Sequence, residues 1–319
     1  MIHVQNLTKI YRSPKKSGIF LKDLFNRTYE ENKALKNISF AIGEGELVGF
    51  IGPNGAGKTT TMKILAGILY PTSGKVDVLG YKPFDKKIPF LKDIAFVMGQ
   101  KNQLLWELPP TDSFTLNKEI YEVSDEEYKK TITELIDLLE AKEFLDRPVK
   151  TLSLGQRMRA ELIAALVHSP KVLFLDEPTI GLDIFAQTTI VNFIREYQKR
   201  FKATIMLTSH YMQDVQRLAK RVIMIDHGSI VFDGKLDTLV AKYSAQKIVR
   251  VVVTKQLTLN EMQLPTYVKV EYHHPQLSLT IPKDKVEDVI QNILSKIDYV
   301  DVTIENEPIE DIVKKKFEE

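Results

Sequence analysis

Two textures of apolar residues alternate along most of this chain. Continuous apolar runs occur at Leu47–Ile51, Ile94–Met98 and Val172–Leu175, and again within Thr204–Ser209 and Arg221–Asp226. Runs of this kind read as buried strands. Between them the apolar residues fall three and four apart. Ile132, Leu135, Ile136, Leu138 and Leu139 form such a stripe within a helical stretch from Asp112 to Phe144, and Met62–Ala66, Leu152–Val167 and Met212–Ala219 read as further helices. Strands alternating with helices predict the α/β class and a mostly parallel sheet. Met1–Val4, Leu7–Tyr11, Ala34–Ile42 and Lys75–Leu79 read as additional strands, the last after a turn at Tyr70–Gly74.

Near Leu239 the texture changes. Lys247–Thr254, Tyr267–Tyr272 and Leu277–Ile281 alternate as half-buried strands. An amphipathic helix at Lys283–Lys296, a strand at Tyr299–Glu305 and a helix at Pro308–Phe317 complete the chain. This predicts two domains, residues 1–238 of α/β type and a small α+β domain at 239–319.

Composition narrows the classes. The 319 residues, 44% apolar and 27% charged, suit a globular protein. The 44 basic and 42 acidic residues nearly cancel, so no electrostatic footprint for nucleic acid is present. Without cysteine, disulfides and thiolate metal sites are excluded. No apolar run approaches the ~18 residues of a spanning helix, and the N-terminus has no signal-peptide layout. The segment 13–32 mixes Lys15, Lys16, Lys22 and Arg27 with Phe20, Leu21, Leu24 and Phe25. Their spacing predicts a helix with one apolar face, packed on its own domain or touching a lipid surface.

The chemistry is concentrated at Gly52-Pro53-Asn54-Gly55-Ala56-Gly57-Lys58-Thr59-Thr60, between an apolar strand and a helix-forming run. This is a P-loop in its strand-to-helix setting. Glycines let backbone N–H groups turn inward at phosphates, and the helix adds its positive end. Lys58 is placed to reach the β- and γ-phosphates, and the Thr59 hydroxyl to hold Mg²⁺. Downstream, the apolar strand Val172–Leu175 ends in Asp176 and Glu177. Asp176 is the candidate Mg²⁺ ligand and Glu177 the candidate general base for an attacking water.

Between these halves lies Leu152-Ser153-Leu154-Gly155-Gln156. With it the chain resembles the nucleotide-binding subunit of an ABC transporter, whose signature is LSGGQ. Further elements match in order. Tyr11 matches the aromatic that stacks on adenine, Gln100 the Q-loop glutamine, Gly181-Leu182-Asp183 the D-loop and His210 the switch histidine. The resemblance covers residues 1 to about 238. It implies an ABC cassette with a parallel core, an antiparallel β part and a helical signature subdomain at about 100–168.

The resemblance also implies ATP and Mg²⁺ as ligands and two cassettes facing head to tail. Ser153, Gly155, Gln156 and Asp183 of one subunit would then face the ATP held by the other. Gln100 would sense Mg²⁺ or water, and His210 would contact the γ-phosphate. The implied partners are a second nucleotide-binding subunit, as homodimer or heterodimer, and integral-membrane permease subunits, with the chain at the cytoplasmic face of the membrane and no nucleic acid bound.

The flanks of the Q-loop, including Trp106 and Leu108, are similar to an exporter group with separate permeases. In that group this region receives the permease's coupling helix, and a structural Trp106 is the other reading of the same residues. The terminal domain resembles dimerisation or regulatory modules of drug-exporter ATPases. A soluble ATPase acting on ribosomes or nucleic acid and a module that closes without turnover are the alternative functions. The first usually has two cassettes or a coiled-coil insert, and this chain has one P-loop and no sustained heptad. The signature itself departs from the family at Leu154, where the first glycine is expected, so crowding near the partner's phosphate is anticipated.

Overall fold

The buried-strand runs assemble into a six-stranded sheet. The computed structural model describes residues 1–14, 29–209, 211–257 and 264–318. The predicted helix at Phe20–Phe25 and the candidate His210 lie outside the described residues. The chain divides into two compact units, Met1–Leu236 and Asp237–Glu319.

The first unit opens with β1 (Ile2–Pro14), β2 (Tyr29–Ile42), β3 (Leu47–Ile51), α1 (Lys58–Leu65) and β4 (Ser73–Val78). It continues through α2 (Ile88–Lys92), β5 (Ile94–Met98), α3 (Pro110–Tyr121), α4 (Asp125–Leu138) and α5 (Leu154–Leu166). Then come β6 (Val172–Asp176), α6 (Ile184–Phe201), β7 (Thr204–Thr208), α7 (Met212–Leu218), β8 (Arg221–Asp226) and β9 (Ser229–Lys235). The six-stranded sheet, ordered β5-β6-β7-β3-β8-β9, is parallel from β5 to β8, with β9 antiparallel at its edge. A three-stranded antiparallel sheet, β2-β1-β4, stands beside it.

One core cluster joins the two sheets around α1 through Phe50, Met62, Ile64, Leu65 and Phe174, and a second packs α4, α5 and α6 through Leu135, Leu162 and Phe193. Burial of such side chains is worth roughly 1.5–3 kcal/mol each.

Two boundaries and two elements differ from the sequence reading. The strands flanking segment 13–32 reach farther than expected, since the β1–β2 ladder continues to Pro14 opposite Tyr29, with an Arg12–Glu31 ion pair across it. The helical stretch from Asp112 is broken in two. Glu122 takes a left-handed φ of 55°, and Ser124 caps α4 by accepting from Glu127 N. Ser followed by Asp125, Glu126 and Glu127 is a helix start that the apolar stripe alone hides. Helix α6, with Ile190, Val191, Phe193, Ile194 and Tyr197 buried, and strand β9 were not anticipated.

The second unit holds α8 (Leu236–Tyr243, beginning at the boundary), β10 (Gln246–Val253), β11 (Lys269–His273), β12 (Gln276–Pro282), α9 (Val286–Leu294), β13 (Tyr299–Asn306) and α10 (Ile309–Glu318). Its antiparallel sheet runs β11-β12-β10-β13, and Val249, Val251, Leu277, Leu279 and Ile281 share a core with Val289 and Ile293 of α9.

Candidate active site

Parallel strands align their carboxyl ends, and that alignment builds the site. Strand β7 lies between β3, which ends at the P-loop, and β6, which ends at Asp176. Its register sets Thr208 opposite Asp176.

The P-loop is braced from behind. A Cβ on Gly52 would fall 2.1 Å from the carbonyl oxygen of Ile225 in β8, so no larger residue fits there. Gly57, the N-cap of α1, has φ 113° and would meet Leu35 Cδ2 at 2.7 Å and Ala34 O at 2.8 Å. Ala56 O accepts from Gly228 N at 3.0 Å, which ties the loop to the β8–β9 turn. Pro53, Asn54 and Gly55 are exposed at the tip. Lys58 is 5% exposed, and its ammonium donates to Gly52 O at 2.7 Å and Pro53 O at 3.1 Å. Burial lowers its pKa, while Glu177 and Asp176 pull the other way. Phosphate charge beside it would favour the ammonium form further.

The carboxylates gather in front of the loop. Thr59 Oγ1 donates to Asp176 Oδ2 and Thr208 Oγ1 to Asp176 Oδ1, both at 2.7 Å. The Glu177 backbone N–H donates to Thr208 O at 3.1 Å and to its Oγ1 at 3.0 Å, with Glu177 at a positive φ of 56°. A strained backbone of this kind aims the residue away from its own strand. Gln100 Nε2 donates to Glu177 Oε2 at 3.2 Å. Thr59, Gln100, Asp176 and Glu177 line one cavity of about 150 Å³. Tyr11, 41% exposed, sets its hydroxyl 3.4 Å from Thr60 Oγ1 in the first turn of α1, with Lys9 Nζ 5.2 Å above its ring.

The signature residues form a second cluster. Ser153 caps α5 by accepting from Gln156 N at 3.2 Å, and Ser153 N donates back to Gln156 Oε1 at 3.0 Å. This capping box fixes the helix start. Asp183 caps α6 by accepting from Ala186 N at 2.9 Å, and a Cβ on Gly155 would meet Ala186 Cβ at 2.6 Å. The two helix starts therefore pack against each other only because residue 155 is glycine. No hydrogen bond among the described residues joins this cluster to the P-loop. Leu154, 36% exposed, turns towards the D-loop, its Cδ2 3.2 Å from where a Gly181 Cβ would stand. Neither α1 nor α5 carries an acid in its first turn, whereas α3 and α4 do. The positive ends of α1 and α5 are thus offset by no acid of their own helix.

Two contributors were missed in the sequence. Thr208 orients both Asp176 and Glu177, and no signal in the sequence marked it, because the strand register alone sets it opposite the acid. Asp214, 2% exposed, accepts from Thr179 Oγ1 at 2.7 Å and from Gln187 Nε2 at 2.9 and 3.0 Å, which ties the segment after Glu177 to α7.

Trp106 and Leu108 are neither buried nor part of the apolar groove beside the Q-loop segment. That groove, about 470 Å³, is lined by residues including Ile68, Ile88, Leu91, Phe96 and Ile120. Trp106, 46% exposed, is drawn away to Arg157, whose guanidinium lies 5.9 Å from its ring centre.

A braced P-loop facing a Thr-linked acid pair defines a nucleoside triphosphatase of the P-loop class. Residues 35–180 match the family model described as ABC transporter. The chain is 36% identical over 245 residues to an energy-coupling factor transporter ATP-binding protein, EcfA2, of Clostridium perfringens, covering 74% of this chain and 80% of that protein. It is 28% identical over 273 residues to the linearmycin resistance ATP-binding protein LnrL of Bacillus subtilis, covering 85% of this chain and 87% of that one. Among solved structures, a dimeric ATP-binding cassette in a post-hydrolysis state bound to ADP and Pi superposes with a TM-score of 0.63 at 26% identity, covering 74% of this chain and 99% of that one. The chain belongs to the ATP-binding subunits of ABC transporters, and it is an ATPase. No described helix is long and apolar enough to cross a membrane.

Proposed function

We propose that this subunit closes head to tail with a second cassette around two ATP molecules. It then drives export of a hydrophobic or amphiphilic compound through separate integral-membrane permease subunits, working at the cytoplasmic face of the membrane. The observation that carries the reading is the convergence of Thr59, Gln100, Asp176 and Glu177 on one cavity in front of the P-loop.

In this reading Lys58 and the backbone N–H groups of residues 54–59 hold the phosphates. Thr59 and Asp176 offer hard oxygens 2.7 Å apart, which suits Mg²⁺ bound by one carboxylate and substrate phosphates. Held there, Mg²⁺ would supply neutralising charge to the phosphate oxygens. Glu177 accepts the proton of the attacking water, and Gln100, already bonded to it, fixes where that water stands. His210, by its place in the sequence, contacts the γ-phosphate. Ser153, Gly155 and Gln156 at the open end of α5, with Asp183, face the ATP of the second subunit. Tyr11 stacks on the base.

The apolar groove at Ile68, Ile88, Leu91 and Phe96 fits a short amphipathic helix of the permease. Export is favoured over other directions by the resistance-protein match, which covers 85% of this chain against 74% for the energy-coupling factor protein and so takes in more of the second unit. That second unit, residues 237–319, is read as a dimerisation or regulatory module.

The test is purification of the tagged chain from detergent-solubilised membranes of its own organism. A polytopic partner in stoichiometric amount is expected. Ribosomes or soluble partners alone would sink the transporter reading.

A further inference from the structure

The segment between Gln100 and α3 is held at several points. Gln103 Nε2 donates to Phe96 O at 3.1 Å, and Leu105 N donates to Ser113 Oγ at 2.9 Å. Farther on, the same segment runs beside the turn that precedes Ser153. Lys150 N donates to Trp106 O at 3.1 Å and Val149 N to Leu108 O at 3.0 Å, and Lys150 pairs with Glu107.

Side chains add a third link. The Trp106 ring covers the Arg157 guanidinium, one turn into α5, at a distance suited to cation–π attraction. Arg157 Nε stands 3.7 Å from Glu161 Oε1 one turn deeper, where Glu161 is 1% exposed. Neither Glu161 oxygen makes a hydrogen bond of ordinary geometry. Burial pushes this carboxyl up to about 7, with Arg157 and the Gln103 backbone favouring its charged form. A buried carboxylate so sparsely satisfied costs stability relative to an apolar side chain of its size. What an apolar side chain there could not do is hold Arg157 beneath Trp106.

We propose that Trp106, Arg157 and Glu161 form a clamp that keeps the N-terminus of α5 in fixed register with Gln100. The start of α5 then follows Gln100 instead of shifting independently of it. All three are positioning residues, since none lines the cavity at the P-loop. The inference rests on the reading above that Ser153 and Gly155 face the ATP of a second subunit. A displacement of Gln100 at one nucleotide is carried along the pinned segment to the signature serine, where a loose loop would absorb it.

The test uses the full-length chain carrying Glu177→Gln, so that ATP-driven dimerisation is read by sedimentation without turnover. Binding of a fluorescent ATP analogue and melting temperature are measured alongside. Trp106→Ala and Glu161→Gln are each expected to keep analogue affinity within about twofold while weakening the dimer at least about fivefold. Trp106→Tyr, which keeps an aromatic face, is expected to restore it.

Unchanged dimerisation in both variants would overturn the clamp. So would a loss that only follows a lower melting temperature and weaker analogue binding. If the parent Glu177→Gln chain does not dimerise with ATP, or Ser153→Arg leaves its dimer intact, the underlying reading falls and the clamp with it.

Discussion

At the scale of single residues, Glu177 and Lys58 divide hydrolysis from binding. Glu177→Gln keeps the side-chain shape and removes the base, so turnover should fall by at least about a hundredfold while ATP still binds. Near-normal phosphate release would remove Glu177 from that role. Lys58→Ala deletes the buried cation of the loop, and filter binding should show a large loss of ATP affinity.

Glu161 gives a pH dependence with a definite sign. Its carboxyl is raised from 4.5 to about 7 in the fold, so the folded chain holds a proton that the unfolded chain releases between those values. Stability should therefore decline as pH rises across that window, by up to about 3 kcal/mol, and Glu161→Gln should flatten the decline in denaturant midpoints. Equal slopes in the two proteins would contradict the buried, sparsely paired carboxylate.

At the scale of elements, the loop and strand motifs were legible because their chemistry demands particular residues in a row. The P-loop and the acid pair required no tertiary information to find. Thr208 was not legible, since only the β6–β7 register puts it beside Asp176. Helix α6 escaped for another reason: its start, Asp183, was read as a motif residue, and the cap it forms went unused as a boundary signal. The groove is likewise a tertiary product. Ile68, Ile88, Phe96 and Ile120 come from four separate stretches, whereas sequence reading looked to the adjacent Trp106. Leu91→Arg sets a cation in that groove. It should abolish co-purification of the permease and leave ATP affinity unchanged; a persistent complex would move the docking surface elsewhere.

At the scale of the whole molecule, the class and the family were readable in advance. The substrate is not written in either unit, as expected if another chain selects it. Among the described residues of the first unit, braced parts surround the phosphate loop, and the proposed platform for the base is the half-exposed Tyr11. A stacked ring offers a face to any base and reads no hydrogen-bonding edge. The consequence is indifference to which nucleotide serves as fuel: GTP and CTP should support turnover within roughly tenfold of ATP in kcat/KM. Discrimination in the thousands would require a polar contact to the base edge. Short of that, the energy supply of this transporter would follow the total triphosphate pool of the cell, whichever base it carries.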